Sequence, residues 1–458
     1  MNAAGRFLGH WKWTQLLALF AGLLMGAAAR GELTLVERWP ANEGACIDAP
    51  LRLTFDQPPK LGAGKIEVCR ASDGMPVETI EPGTAQFLNH FASAGRLLLR
   101  YEPVWIEGNT AHIRLRARSL SPEESYFVRV SAGVFTDADG RTFPGVSDGW
   151  TFRTRPALAR NPDRVTVAAD GSGDFCTVQG AVDQIEPHRT RPAVIFVRKG
   201  HYRELIRISR ERRFIHLVGE DRKETVIACV NNDKLNPGWI QRSVLGVEAD
   251  DFLLENLTVR NETPWKGSQA EAVSLNAERC VLRNADFISL QDTLNLSGRV
   301  FVSGCYIEGD VDYVWGYGTA VFERCELRTM HDGYIVQARN PAERGGYVFL
   351  DCQLTTAPGV KKLWLARIDT TRFPASHVAF IRCRMGPGIL PGGWQITGAD
   401  PSALRFEEFA STDLHGKPLD VSGRSSAAKE LTAEQAAALT AAKVLAGSDG
   451  WKPAASEL

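Results

Sequence analysis

The chain has 458 residues, room for two or three domains with a sizeable core in each. Its 44% hydrophobic and 23% charged residues, with 42 Gly and 23 Pro, exclude a collagen, a coiled coil and a disordered chain. Lys+Arg 53 against Asp+Glu 54 leaves a formal net charge of -1, so no global basic field would draw nucleic acid.

At the N-terminus, Arg6 and Lys12 precede an apolar run from Leu16 to Ala29 that closes on small residues. That is the order of a secretory signal, and the run is short of the roughly 20 residues a membrane span needs. Residues 1–31 are therefore expected to direct export and be removed, giving a secreted or periplasmic chain with no membrane span. The chain has nine Cys without a CxxC or a Cys/His cluster at zinc spacing, so neither metal nor another cofactor is expected. Cys46 and Cys69 fall in one segment and are candidates for a disulfide.

Residues 32–156 contain alternating segments, Leu51-Arg-Leu-Thr-Phe55, Ala111-His-Ile-Arg-Leu115, Tyr126-Phe-Val-Arg-Val130 and Trp150-Thr-Phe152, separated by Pro- and Gly-containing turns. Such a pattern predicts a β-sandwich. The Ser-Leu-Ser-Pro-Glu-Glu-Ser-Tyr126 run, the Asp137-Ala-Asp-Gly140 turn and the closing Trp150-Thr-Phe-Arg-Thr154 resemble a bacterial Ig-like domain. No catalytic constellation lies in it, and Arg155 to Pro162 reads as a linker.

Further on, one short phrase repeats: Leu253-Leu-Glu-Asn-Leu257, Val281-Leu-Arg-Asn-Ala285, Phe301-Val-Ser-Gly-Cys305, Val321-Phe-Glu-Arg-Cys325, Val348-Phe-Leu-Asp-Cys352 and Ala379-Phe-Ile-Arg-Cys383. Alternation within each phrase means a strand. Intervals of 28, 20, 20, 27 and 31 residues give a fixed strand with loops of variable length, as in a parallel β-helix. Cys at one place in four successive phrases predicts an inward ladder of thiols used for packing. An antiparallel sandwich would instead show turn signals every 8 to 12 residues and no stacking register. The fold class is thus all-β: a right-handed parallel β-helix preceded by a sandwich.

Five motifs in order carry a resemblance to the pectin methylesterases. They are Val165-Thr-Val-Ala-Ala-Asp-Gly-Ser-Gly-Asp-Phe175, Gly200-His-Tyr-Arg-Glu204, Gln291-Asp-Thr-Leu294, Gly309-Asp-Val-Asp-Tyr-Val-Trp-Gly316 and Leu431-Thr-Ala-Glu-Gln435. The resemblance covers residues 163–453. It implies hydrolysis of methyl esters of a polyuronate, pectin or a related uronate-ester polysaccharide, with no cofactor, by a chain expected to be a monomer.

Ester hydrolysis needs a nucleophile, a proton donor for the leaving alkoxide and donors for the oxyanion. Asp292 and Asp312 are 20 residues apart, one coil interval, so they can lie side by side on adjacent coils. Two close carboxylates resist joint ionisation, so one should keep its proton while the other attacks. The resemblance implies the roles: Asp312 the nucleophile, Asp292 the acid and then base, Gln269 and Gln291 the oxyanion donors, Arg367 the cation that keeps Asp312 ionised. It also places Tyr313, Trp315 and Trp364 beside the substrate. The plainer readings are stacked amide ladders for the glutamines, a calcium turn for Asp310 and Asp312, and core packing for the aromatics.

Three features depart from the family pattern. Glu271 stands where an apolar residue is usual, Trp239-Ile-Gln-Arg-Ser243 lacks a clean counterpart of a threonine motif, and Asp369 replaces a sugar-stacking Trp. These leave two alternatives to the esterase: a catalytically silent pectin-binding protein, and a β-helix lyase or glycosidase.

Overall fold

The structure, a computed structural model, describes residues 32–92, 95–158 and 162–453; the expected signal segment, 1–31, lies outside the described residues. In the N-terminal unit two sheets face one another. One holds Leu35–Trp39, Leu51–Phe55, Thr110–Ile113 and Val104–Glu107; the other holds Asn42–Ala45, Thr151–Thr154, Ser125–Val130, Ile66–Arg70 and Pro76–Ile80. Strict alternation buries Leu51, Leu53 and Phe55 on one side, where they meet Tyr126, Phe135 and Trp150.

From Arg164 onward the chain coils. Eleven strands from Arg164–Val167 to Ala428–Glu430 form one wholly parallel sheet. Two further runs of parallel strands complete each turn, and they fuse where single long strands, Tyr306–Gly316 and Glu326–Ala338, pass through both. This is a parallel β-helix. The repeated phrase marks its sharpest corner: Asn256, Asn284, Gly304, Arg324, Asp351 and Arg382 all have left-handed φ, between 47° and 63°. Each bends the chain from the first sheet to the second, and the next residue then points inward. Cys305, Cys325, Cys352 and Cys383 occupy that inward position as buried free thiols. Their Sγ atoms donate to carbonyls of the preceding coil, Leu282, Val302, Phe322 and Phe349, at 3.5 to 3.6 Å. Behind them Phe322, Phe349 and Phe380 stack with centroids 4.4 and 4.6 Å apart.

Alternation fails in the later coils for a physical reason. Gly346–Leu350 and His377–Ile381 are buried at every position, because the C-terminal segment covers the outer face of the first sheet. Leu431, Ala436 and Leu445 pack there on Phe301, Val321, Val348 and Ala379. The helix Ala433–Ala438 that carries this cover starts on a capping box, with the Thr432 hydroxyl accepting from Gln435 N at 3.2 Å and Gln435 Oε1 accepting from Thr432 N at 3.0 Å. Thr432→Ala is expected to cost about 1 kcal/mol, seen as faster amide hydrogen exchange from Leu431 to Leu445 with the coils unaffected.

The sandwich is fastened to the first coil. The Asp48 carboxylate accepts from Cys176 N at 3.0 Å, Thr177 N at 2.8 Å and Thr177 Oγ1 at 2.6 Å. Arg155 donates to the carbonyls of Gly44, Gly171 and Gly173. The candidate disulfide between Cys46 and Cys69 is not formed: all nine cysteines are free. Cys69 is buried in its strand, whereas Cys46 sits where the sandwich core takes in Cys176 of the coil, within 4.8 Å of the Cys176 sulfur. Glu204, closing the Gly200 motif, is buried and accepts from Val178 N and Gln179 N at the start of the helix Val178–Gln184, a structural duty shared with the buried Tyr202.

Candidate active site

Register brings the carboxylates together. Val273 pairs with Leu294 and Leu294 with Val314, so Glu271, Asp292 and Asp312, each two residues earlier, occupy equivalent places on three successive coils. Asp292 and Asp312 both adopt left-handed φ, 70° and 49°, where the second and third sheets meet. Around Asp312 the pairing with the next coil shifts register between Gly309 and Val311 and again between Val311 and Val314. A bulge of this kind turns a side chain out of the alternation. Non-glycine residues in that region store strain that the surrounding ladder must hold.

Arg367, on the strand Leu363–Asp369, donates Nε to Asp312 Oδ1 at 2.9 Å and Oδ2 at 3.1 Å, and its Nη2 also bonds Oδ2. The guanidinium lies over the Tyr334 ring, 4.4 Å from its centroid. Burial pushes the Asp312 carboxyl up, and Arg367 opposes the rise. Asp292 is in a different state. Burial raises its carboxyl well above the usual range; Glu271 and Asp312 add to this, and Arg242 opposes it. Its Oδ2 accepts from Arg242 Nη2 at 2.9 Å, and its Oδ1 has no hydrogen bond among the described residues.

Gln269 and Gln291 lie on neighbouring coils, joined by Ala270 N donating to Gln291 O at 3.1 Å. Gln269 Oε1 accepts from Ser268 Oγ at 2.9 Å. No bond links the two side-chain amides, so they form no amide ladder, and both glutamines are half-buried. Beside Gln291 a small cavity is lined by Trp265, Ser268, Ala270 and Asp310. Asp310 does not share a turn with Asp312: its oxygens accept from Val311 N and meet His331 Nδ1 at 3.2 Å.

The three aromatics expected at the substrate separate. Tyr313 is fully buried with its hydroxyl 3.0 Å from Thr329 Oγ1, so it is core and the expectation is corrected. The bulge at Asp312 breaks the alternation there, so Tyr313 and Val314 both enter the core while the Asp312 carboxyl turns out of it. Trp315 is nearly buried beneath Arg339, 4.6 Å from its ring centroid, and its indole N–H has no partner among the described residues. Trp364 is half-buried beside Tyr334, against the Gly392 turn. Sequence reasoning missed an aromatic chain around Trp315: Trp239 and Tyr317 each lie 6.3 Å from it, and Phe373 lies 6.3 Å beyond Tyr317. Trp239 and Phe373 come from loops far from Trp315 and Tyr317 in the chain, so no local pattern joins them. Asp369 accepts from Thr371 N at 3.0 Å and so stitches its own turn.

Two buried, unlike carboxylates on adjacent coils of a parallel β-helix, one gripped by arginine, define a solenoid hydrolase. The Pectinesterase family model matches residues 164–448. Pectinesterase 31 of Arabidopsis thaliana is 35% identical over 204 residues, which cover 42% of this chain and 64% of that protein, just under two thirds of its length. Pectin methylesterase PemA from Erwinia chrysanthemi superposes with TM-score 0.53 at 26% identity, covering 65% of this chain and 99% of its own. A pectin methylesterase in complex with a hexasaccharide does so with TM-score 0.53 at 25% identity, covering 65% and 100%. The chain belongs to the pectinesterase family, carboxylic ester hydrolases built on a parallel β-helix.

Proposed function

We propose that the chain is an exported pectin methylesterase in which Asp312 attacks and Asp292 manages the proton. The supporting observation is the contrast between two register-matched aspartates, one held by a two-pronged arginine and the other by a single N–H. The Asp312 carboxylate adds to the carbonyl of the methyl ester while the free side-chain N–H groups of Gln269 and Gln291 meet the oxyanion. As the tetrahedral intermediate collapses, the C–O bond to methoxide breaks and the Asp292 proton passes to it, releasing methanol and leaving an acyl anhydride on Asp312. Asp292, now a carboxylate, takes a proton from water, whose oxygen attacks the acyl carbon. The product leaves as the uronic acid and gives its remaining proton to solvent, Asp312 is again ionised and Asp292 again carries a proton.

Trp364 and the exposed Tyr317 supply ring faces for neighbouring sugars, while Trp315, covered by Arg339, backs Tyr317 rather than touching sugar. The hexasaccharide held by one structural neighbour, a pectin methylesterase, supports a polymeric sugar chain as the substrate class. Export follows from the residue order at 6–29, and among the described residues no helix is long and apolar enough to cross a membrane. The sandwich serves as an Ig-like spacer on the catalytic solenoid.

Methanol release from highly methylated pectin is expected, without the ultraviolet absorbance of an unsaturated uronide. Absorbance without methanol would make the protein a lyase, and binding without either would make it a silent pectin-binding protein.

A further inference from the structure

A charge account around Asp292 does not stop at the pair of aspartates. Arg242 donates Nε to both oxygens of Glu271, at 3.0 and 2.7 Å, and Nη2 to Glu271 Oε1 at 2.7 Å. The same Nη2 reaches Asp292 Oδ2 at 2.9 Å, and Nη1 reaches Asp233 Oδ1 at 2.9 Å. Glu271 is fully buried and Asp292 is only 6% exposed. One guanidinium therefore serves three carboxyl groups, two of them out of water.

The other charges that face Asp292 are already engaged. Arg367 is committed to Asp312. Arg339 bonds Gln337 through Nε at 2.6 Å and lies over Trp315. If Glu271 and Asp292 were both ionised, two carboxylates out of water would share the one guanidinium of Arg242, and the excess charge would be buried. One carboxyl must stay neutral. The two-pronged bond to Arg242 favours ionised Glu271, whereas Asp292 accepts one N–H on Oδ2, a bond that a neutral carboxyl makes equally well. Its proton then sits on Oδ1, the oxygen with no partner among the described residues.

We propose that Arg242 and Glu271 are positioning residues for Asp292: Arg242 orients the carboxyl group through Oδ2, and Glu271 offsets the guanidinium charge so that the proton stays on Oδ1. The proposal rests on Asp292 acting as the acid, and it adds the pair that sets its charge state. Burial raises both carboxyls, Asp292 well above the usual range with Glu271 and Asp312 adding to the rise, while Arg242 opposes the rise at Glu271 through side-chain hydrogen bonds.

The test is Glu271→Gln, which keeps the shape of the pair and removes the offset. Wild type and variant carry γ-13C aspartate, and the Asp292 signal is identified by its loss in Asp292→Asn. In Glu271→Gln the uncompensated guanidinium lowers the pH at which Asp292 titrates by about one unit or more, a tenfold change in proton affinity. The alkaline limb of kcat for methanol release moves down with it. KM on pectin stays level, because Glu271 is out of reach of substrate. Arg242→Leu combined with Glu271→Val removes both charges and returns the limb toward its wild-type position. A profile lowered uniformly with its limb in place, or a double variant that stays with the single one, overturns the proposal. Should the wild type release no methanol, the ester-hydrolase reading falls, and the 13C titration alone still upholds or overturns the pair.

Discussion

Asp312→Asn is expected to lower kcat for methanol release by about 10^4-fold or more, with the protein folded and still binding pectin. The amide has no carboxylate oxygen with which to form the acyl anhydride, so the loss falls on the chemical step alone. Local geometry should survive. Asn tolerates the left-handed φ of 49° that this position requires. Its single carbonyl can still accept from Arg367, whose side chain is 34% exposed and can complete its hydrogen bonds with water. Methanol release, pectin affinity and thermal unfolding measured on one preparation separate these effects. A loss smaller than tenfold with binding intact would remove the nucleophilic role from Asp312.

The coil architecture was legible in the sequence because one corner repeats. A left-handed residue followed by a small inward one recurs from Asn256 and Leu257 to Arg382 and Cys383, and the backbone demands it at every turn. The pairing of Asp292 with Asp312 was legible for a related reason: the interval of 20 residues between Phe301 and Val321 is also the register offset of Leu294 and Val314.

What was hidden depended on contacts between coils of unequal length. Glu271 looked like an isolated departure, and Arg242 lay in a stretch with no recognisable pattern; 29 residues separate them, yet their side chains form the tightest ion pair beside Asp292. The same applies to Trp239 and Phe373, which join Trp315 and Tyr317 from separate loops. Tyr313 was misplaced because adjacency to Asp312 in sequence was read as adjacency in the site, whereas the bulge at Asp312 leaves Tyr313 in the core beside Val314. The double burial of Gly346–Leu350 depended on the C-terminal segment, whose docking surface is written in residues from Phe301 to Ile381, far back in the chain from Leu431.

Asp292→Asn should separate stability from activity in the opposite sense to most core substitutions. Methanol release is expected to fall by about 10^2 to 10^4-fold, since an amide can neither give nor take the proton. Stability is nonetheless expected to rise. The folded chain holds the Asp292 proton far more tightly than the unfolded chain does, because burial, Glu271 and Asp312 all disfavour the charge. The contribution of this group to folding is therefore full at low pH. It is lost as pH climbs from the ordinary carboxylate value of 3.8 toward the raised folded value. Asn stands in for the neutral acid at every pH: its Oδ1 accepts from Arg242 Nη2 as Asp292 Oδ2 does, and it too accepts a φ of 70°. The gain should thus be negligible near pH 4 and grow by up to about 1.4 kcal/mol for each pH unit across that window. Denaturant unfolding of both proteins from pH 4 to pH 8 measures it. A difference that stays flat with pH, or a variant that becomes relatively weaker as pH rises, would mean that Asp292 is ionised in the resting enzyme and that Arg242 serves it before Glu271.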